Sequence, residues 1–285
     1  MKNIKFSAAF ILFDPERKFL DNILSLRSKA DKLFLVDNSS SRNEWLSDAL
    51  AADRRFVYLF EGSNKGIAIR LNELCQLALT EGYQYLLTMD QDSRFDEESI
   101  DQYIRCIENF MGKEEVSMFG INHEMAVALP SCAFQIVNSI ITSGSIINLS
   151  AYKKIGGFDE NLFIDFVDTE YCFRSIQKGY QIVKFPGIFM HHSLGKIAAQ
   201  RSIKNLKKTN RSFHSSLRLY YMLRNFLYVN ARYKSDFKEE LARNRKDLFH
   251  RIKNKLIYKS HRIETLRYLL KAWRDFKNNN LGKIN

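Results

Sequence analysis

No unbroken apolar stretch in this chain of 285 residues approaches the roughly 18 to 20 residues that a bilayer-spanning helix needs, and runs such as Ala8 to Phe13 fall far short. No charged, apolar and cleavage-site succession opens the chain either, so the expectation is a protein neither exported by a signal peptide nor membrane-spanning. Cysteine is scarce: Cys75, Cys106, Cys132 and Cys172 stand apart, with no Cys-x-x-Cys and no histidine at zinc spacing. That pattern predicts buried, reduced thiols in a cytoplasmic protein. Internal repeats and low-complexity linkers are missing as well.

What the chain does have is apolar content, 45%, enough to bury a sizeable core in one large domain with an appendage or in two small ones. Its net charge of +12 is unevenly spread. Residues 196–285 carry 24 Lys and Arg against 6 Asp and Glu, or +18, which leaves −6 for residues 1–195. A basic region of this kind suits nucleic acid, an anionic membrane surface, or a solvated helical face.

Strand and helix patterns alternate through the first part. Strands are expected at 5–13, 32–37, 56–60 and 84–89, and helices at 19–28, 44–52, 67–80 and 97–110. Shorter strands follow near 115–121, 132–137, 145–148 and 180–185, with helices at 151–155 and 168–178. Such alternation argues for an α/β fold with an open, largely parallel sheet, in which ligands gather at the carboxyl ends of strands. Beyond residue 200 strands largely disappear, and helices are expected over 212–233 and 249–276. The expected division is 1–195 and 196–285. Along 249–276, Ile252, Leu256, Ile263, Leu266, Leu270 and Trp273 share one side, with Lys and Arg elsewhere. That stripe either lies on an anionic bilayer or packs onto the first domain.

Asp90-Gln91-Asp92 stands directly behind the apolar run Tyr85 to Met89. In an extended segment residues i and i+2 project to the same side, so one carboxylate can hold a divalent cation while the other reaches the ligand beside it. Asp-x-Asp also occurs in solvated turns, and the remaining chain has to decide. Three further clusters keep a fixed order around it. Val36-Asp37-Asn38-Ser39-Ser40 and Asn64-x-Gly66-Ile67-Ala68 precede it, and a block from Gly156-Gly157-Phe158-Asp159-Glu160 through Asp165, Asp168 and Glu170 to Arg174 follows it.

Together these four clusters, over residues 4 to about 195, resemble the inverting glycosyltransferases of family 2. The Asp-Gln-Asp-Ser form, the run Ile164 to Glu170 and His192-Ser193-Leu194-Gly195 look most like a rhamnosyltransferase branch. The resemblance implies a GT-A fold, a Rossmann-like open twisted sheet, here with a C-terminal basic helical extension. It assigns Asp37 to the nucleotide base, whose imide proton a carboxylate accepts, and Asn64 and Gly66 to the loop beneath the nucleotide. Asp90 faces the ribose, while Asp92 and His192 hold Mg²⁺ or Mn²⁺. Asp168 is the base that deprotonates the acceptor, and Arg224 binds diphosphate.

One departure matters: the family's Glu-Asp, followed one residue later by Asp, is here Val167-Asp168-Thr169-Glu170, which leaves Asp165 as a rival base. The implied partners are a nucleotide-sugar donor, dTDP-rhamnose foremost, and a glycolipid or polysaccharide acceptor. An anionic membrane surface met by the C-terminal helices would hold the protein at the inner face of the cell membrane. A metal-dependent nuclease could use Asp90, Asp92 and the basic region, but leaves Asp37, Asn64-x-Gly66 and the 156–174 block without a task. Nucleic acid is therefore not an expected partner.

Overall fold

The structure is a computed structural model that describes residues 4–123, 129–130, 132–192, 197–201, 208–212, 214–258 and 261–284. It divides into two units, one formed by 1–160 and 167–193, the other by 161–166 and 194–285.

The first unit opens with β1 (Phe6–Leu12), a short α1 (Leu20–Leu24), β2 (Leu33–Asp37), α2 (Glu44–Leu50), β3 (Phe56–Phe60) and α3 (Ile67–Thr80). It continues with β4 (Tyr85–Asp90), β5 (Ser93–Arg94), α4 (Glu97–Glu108), β6 (Val116–Asn122), β7 (Gln135–Ile136), β8 (Ser145–Asn148), α5 (Leu149–Ile155), α6 (Val167–Gln177), β9 (Gln181–Phe189) and β10 (His191–His192). Eight strands form one sheet in the order β3-β2-β1-β4-β8-β6-β9-β7. The β3-β2-β1-β4 half is parallel throughout, whereas β8 runs antiparallel to both β4 and β6.

Because both faces of a parallel sheet are covered, its central strands are apolar almost without break. β2 and β6 are buried along their whole length, and β1 along all but one residue. The edge strand β3 is only partly covered. β9 runs four residues beyond its expected end, with a register slip opposite Ile121 and Asn122 that absorbs Pro186, a residue with no N–H to give the ladder.

The helix following a strand returns the chain to the next parallel strand, and the direction of that step reverses at β1, which has β2 on one side and β4 on the other. A crevice at the carboxyl ends of β1 and β4 is the consequence. Register sets its floor: Leu12 pairs with Asp37 and Ile11 with Asp90, so both carboxylates sit at the level where β1 ends.

The cysteines correct one expectation. Cys106 on α4 is disulfide-bonded to Cys132, their Cα atoms 5.2 Å apart. The chain after β6 returns across α4, a proximity that a spacing of 26 residues does not announce. Cys75 and Cys172 are free and buried, and burial pushes the Cys75 thiol up. The inference of a cytoplasmic address from reduced thiols thus loses half of its basis. No helix among the described residues is long and apolar enough to cross a membrane.

The second unit holds a hairpin of β11 (Ile197–Arg201) and β12 (Lys208–Ser212), then α7 (Ser216–Tyr233), α8 (Lys238–Tyr258) and α9 (Arg262–Lys277). The single helix expected over 249–276 is therefore two, with His261 in a left-handed conformation (φ 66°) at the start of α9. Tyr220 and Tyr221 of α7 pack with Ala272 of α9.

Arg224, the expected diphosphate ligand, lies within this packing at 1% exposure. Its guanidinium donates to the Tyr220 hydroxyl (3.2 Å), Asn225 Oδ1 (3.1 Å), and the carbonyls of Asn280 (3.4 Å) and Gly282 (2.8 Å), and it stacks over both tyrosine rings. It pins the C-terminal tail to α7, so the ligand role gives way to a structural one.

Replacing it tests this directly. Arg224→Met should take this donor from the two tail carbonyls and from Asn225 Oδ1 and lower stability by about 2 to 4 kcal/mol in urea unfolding. Amide exchange should quicken over residues 280–284. An unchanged midpoint would show that the guanidinium is not what holds the tail.

Candidate active site

Asp37 closes β2 fully buried. One carboxylate oxygen accepts from the Ser39 amide (3.0 Å) and hydroxyl (2.5 Å), the other from Asn43 Nδ2 (2.7 Å) and the Tyr58 hydroxyl (2.5 Å). Burial, and after it the Asp37 carboxylate, push the Tyr58 phenol well above its usual range, so it remains a donor. Its oxygens fold the 38–43 loop.

Asn38 links that loop to the next motif. Its Nδ2 donates to Asn64 Oδ1 (2.9 Å), and its Oδ1 accepts from the Lys65 amide (2.9 Å) and Arg70 Nε (3.1 Å). Asn64 Oδ1 also accepts from the Gly66 amide at 2.9 Å. Arg70, 2% exposed, reaches the Ser63 carbonyl (3.1 Å) and pairs with Glu61 (3.2 Å) and Glu73 (2.6 Å). Loop 61–66 is thereby fastened from beneath. Gly66, at φ 86° and ψ −179°, occupies a conformation that residues with side chains rarely adopt, and it lets the chain turn straight into α3. The first amides of α3 have no partner within the helix, which makes such a start favourable for anionic groups.

Asp90 is exposed at the end of β4 and Asp92 half-buried two residues on. Gln91 between them acts as a brace. Its side chain accepts from the Phe13 amide (2.9 Å) and donates to the Phe13 carbonyl (3.1 Å), which docks the turn against the end of β1. Phe13 itself is 52% exposed at this end of the sheet. Sequence reasoning passed over it, although a phenylalanine just beyond the last residue of a buried strand was the available signal.

β5 pairs antiparallel with β10, matching Ser93 to His192 and Arg94 to His191. The backbone of His192 therefore runs alongside the residue after Asp92, while its side chain and residues 193–195 lie outside the described residues. His191 bonds Asp96 at 2.9 Å.

Among the described residues no three His, Cys, Asp or Glu side chains gather around one point. A donor set of one or two carboxylate oxygens suits a hard cation such as Mg²⁺ or Mn²⁺, which takes most of its ligands from diphosphate and water rather than from an all-protein cage.

The block after residue 156 is built of clamps. Asn72 on α3 accepts from the Phe158 amide (2.7 Å) and the Tyr152 hydroxyl (3.0 Å), and donates to the Phe158 carbonyl (2.9 Å) and Glu160 (2.9 Å). Arg174 forks onto Glu170, both bonds 2.9 Å, and donates to the carbonyls of Ile155, Gly156 and Gly157. Glu170, at 1% exposure, is thus a structural counter-ion. Asp168, on the first turn of α6, is half-buried, with one oxygen accepting the Thr169 amide at 2.8 Å.

In the second unit, Asp165 is held bidentately by Arg218 (2.5 and 2.7 Å). Asp165 and Phe166 are both left-handed, at φ 65°, and Asn225 donates to the carbonyls of Ile164 (2.7 Å) and Asp165 (3.1 Å). Phe166 packs beside Phe226. Both oxygens of Asp165 are occupied by a guanidinium.

A cavity of about 630 Å³ beside α3 and α5 is lined by Asn72, Glu73, Gln76, Leu77, Tyr152 and Glu160, among others. None of the expected ligand residues lines it.

Comparison with known proteins bears on this geometry. Residues 17–111 match the family described as Glycosyl transferase family 2. The dTDP-rhamnosyl transferase RfbF of Shigella flexneri is 28% identical over 244 residues, 78% of this chain and 79% of that protein. The structure is similar to GalNAc-T7 solved with UDP, GalNAc and Mn²⁺, at a TM-score of 0.63 and 10% identity, over 98% of this chain and 57% of that one. It is also similar to S. aureus TarS, at a TM-score of 0.54 and 13% identity, over 96% of this chain and 49% of that one. A shorter form of TarS in complex with UDP-GlcNAc gives 0.55 and 14%, covering 96% and 80%. This chain spans only about half the length of the two longer structures. At such identities the likeness is one of fold, and the fold is GT-A.

The assignment of Asp37 to loop folding has a consequence. Asp37→Asn turns a donor toward the Ser39 amide or the Asn43 and Tyr58 donors, and should cost about 2 kcal/mol of stability. The urea midpoint should fall at constant slope, and donor affinity should fall with it as the loop loosens. Full stability combined with lost donor binding would instead restore the direct base contact.

Proposed function

We propose that this chain, a glycosyltransferase of family 2, moves L-rhamnose from a dTDP donor to a hydroxyl of a lipid-linked surface-polysaccharide intermediate at the inner face of the cell membrane. The observation that carries the reading is the delivery of Asp90 and Asp92 to the crevice end of β4, beside an exposed Phe13, in a chain related to a dTDP-rhamnosyl transferase. The acceptor class is supported by the basic region, whose +18 suits work at an anionic surface.

Each residue has a task in this reading. Phe13 offers its ring face to the thymine, since base stacking on aromatics tolerates substituents such as the 5-methyl group. Asp90 hydrogen-bonds the sugar hydroxyls of the nucleoside. The Asn64–Gly66 loop and the start of α3 support the diphosphate through backbone amides. Asp92 and His192 hold Mg²⁺ or Mn²⁺, which when bound offsets the negative charge of the departing nucleotide. Asp168 accepts the proton of the acceptor hydroxyl as its oxygen forms a bond to the anomeric carbon. The bond from that carbon to the diphosphate oxygen breaks on the opposite face, dTDP leaves, and the configuration inverts.

Two measurements test this. Asp168→Asn should lower transfer by about 10² to 10⁴-fold while dTDP-rhamnose still raises the melting temperature; turnover close to that of the unaltered protein would remove Asp168 as the base. Phe13→Ala should raise the donor KM by about tenfold with kcat nearly preserved, as loss of one stacking partner predicts. If UDP-sugars stabilise the protein and dTDP-rhamnose does not, the donor assignment fails while the transferase reading stands.

A further inference from the structure

α9 is amphipathic in the opposite sense to a helix packed by its apolar side. Thr265, Ala272 and Asp275 are its buried residues. They meet α7: the Thr265 hydroxyl bonds the Ser216 hydroxyl at 3.0 Å, the Tyr220 hydroxyl donates to Asp275 at 2.7 Å, and Ala272 packs on Tyr220 and Tyr221. Small and polar side chains, with the ring of Tyr268 beside Tyr220, thus fasten the helix to its unit.

Four large apolar ones face away. Ile263, Leu266, Leu270 and Trp273 are 70%, 48%, 66% and 55% exposed. Their spacing of three, four and three residues confines them to a sector of about 80°, centred about 140° from Ala272. Within its own unit the stripe is left uncovered.

The flanks of the stripe are basic. Arg262, Arg267 and Arg274 are exposed along its borders and Lys277 at its C-terminal end, where their apolar stems can lie on a surface while the charges reach outward. α8 adds exposed Phe249 and Ile257 on a helix equally rich in Lys and Arg.

We infer that α9 is an in-plane membrane anchor, which seats Ile263, Leu266, Leu270 and Trp273 among the acyl chains of an anionic bilayer and sets its flanking arginines against lipid phosphates. Charge complementarity selects this occupant. A second copy would bring one +18 region against another. A nucleic acid would satisfy the arginines but leave four large apolar side chains in water. An anionic bilayer satisfies both, and the indole N–H of Trp273 suits the depth where acyl chains meet headgroups. The inference gives the lipid-borne acceptor of the proposed reaction a means of approach and rests on that reading only for its purpose. Binding is measured without substrate, so failure here and failure of transfer are separate results.

The chain has two tryptophans, Trp45 and Trp273, so in Trp45→Phe the second becomes the sole reporter. Titrated with phosphatidylcholine vesicles containing phosphatidylglycerol, its emission should shift to the blue and be quenched by brominated acyl chains, with little response to pure phosphatidylcholine. In the full chain, Leu270→Ser with Trp273→Ser, and separately Arg267→Glu with Arg274→Glu, should each weaken co-sedimentation with the anionic vesicles by at least about tenfold. These positions are exposed, so circular dichroism and melting should be unaltered. Vesicle binding that survives both pairs would overturn the inference. So would a Trp273 shift that appears on self-association without lipid, or one driven by RNA but not by vesicles.

Discussion

The active face rests on a registry constraint. Hydrogen bonding in the parallel ladder places Leu12 beside Asp37 and Ile11 beside Asp90, so three strands finish at one level and the chain can turn only into the loops that follow. A slip of one residue would carry Asp90 to the other side of the sheet and take the Thr88 hydroxyl from the carbonyls of Thr142 and Ser145. The 38–43 loop, loop 61–66 and the Asp90–Asp92 turn all begin from that shared edge. Their positions follow from the backbone ladder before any side chain is considered.

Side chains then divide the motif residues into two kinds. Asp37, Asn38, Asn64, Asn72, Glu170 and Arg174 spend their polar atoms on the protein itself, each closing a loop against a neighbouring element. Phe13 and Asp90 stay open to solvent, and Asp92 and Asp168 are half-buried. The first kind keeps the second in place. A buried carboxylate such as Glu170 is tolerable because a fork of Arg174 bonds meets it, and its loss would leave a charge inside the fold without an answer.

The alternation of strands and helices was legible because buried strands and amphipathic helices write their periods into short windows, and the Asp90-Gln91-Asp92 turn because it is contiguous. Features that depend on distant partners were not. Asp37 looks open to a ligand until Asn43 and Tyr58 are seen to close on it. The Cys106–Cys132 bridge joins segments that nothing local connects, and β5 and β10 are two residues each, too short to leave a period. Nothing near Asp165 in sequence announces that Arg218 of α7 closes on it. Likewise the stripe on α9 was visible at once, but its direction belongs to tertiary packing.

The two left-handed residues before α6 carry one more implication. Asp165 and Phe166 hold a conformation that disfavours side chains by roughly 1 to 2 kcal/mol each, in a place where glycine would sit at ease. Glycine would also wander. With Arg218 gripping one side chain and Phe226 flanking the other, the second unit holds both residues in that conformation through their side chains, a restraint that glycine could not receive.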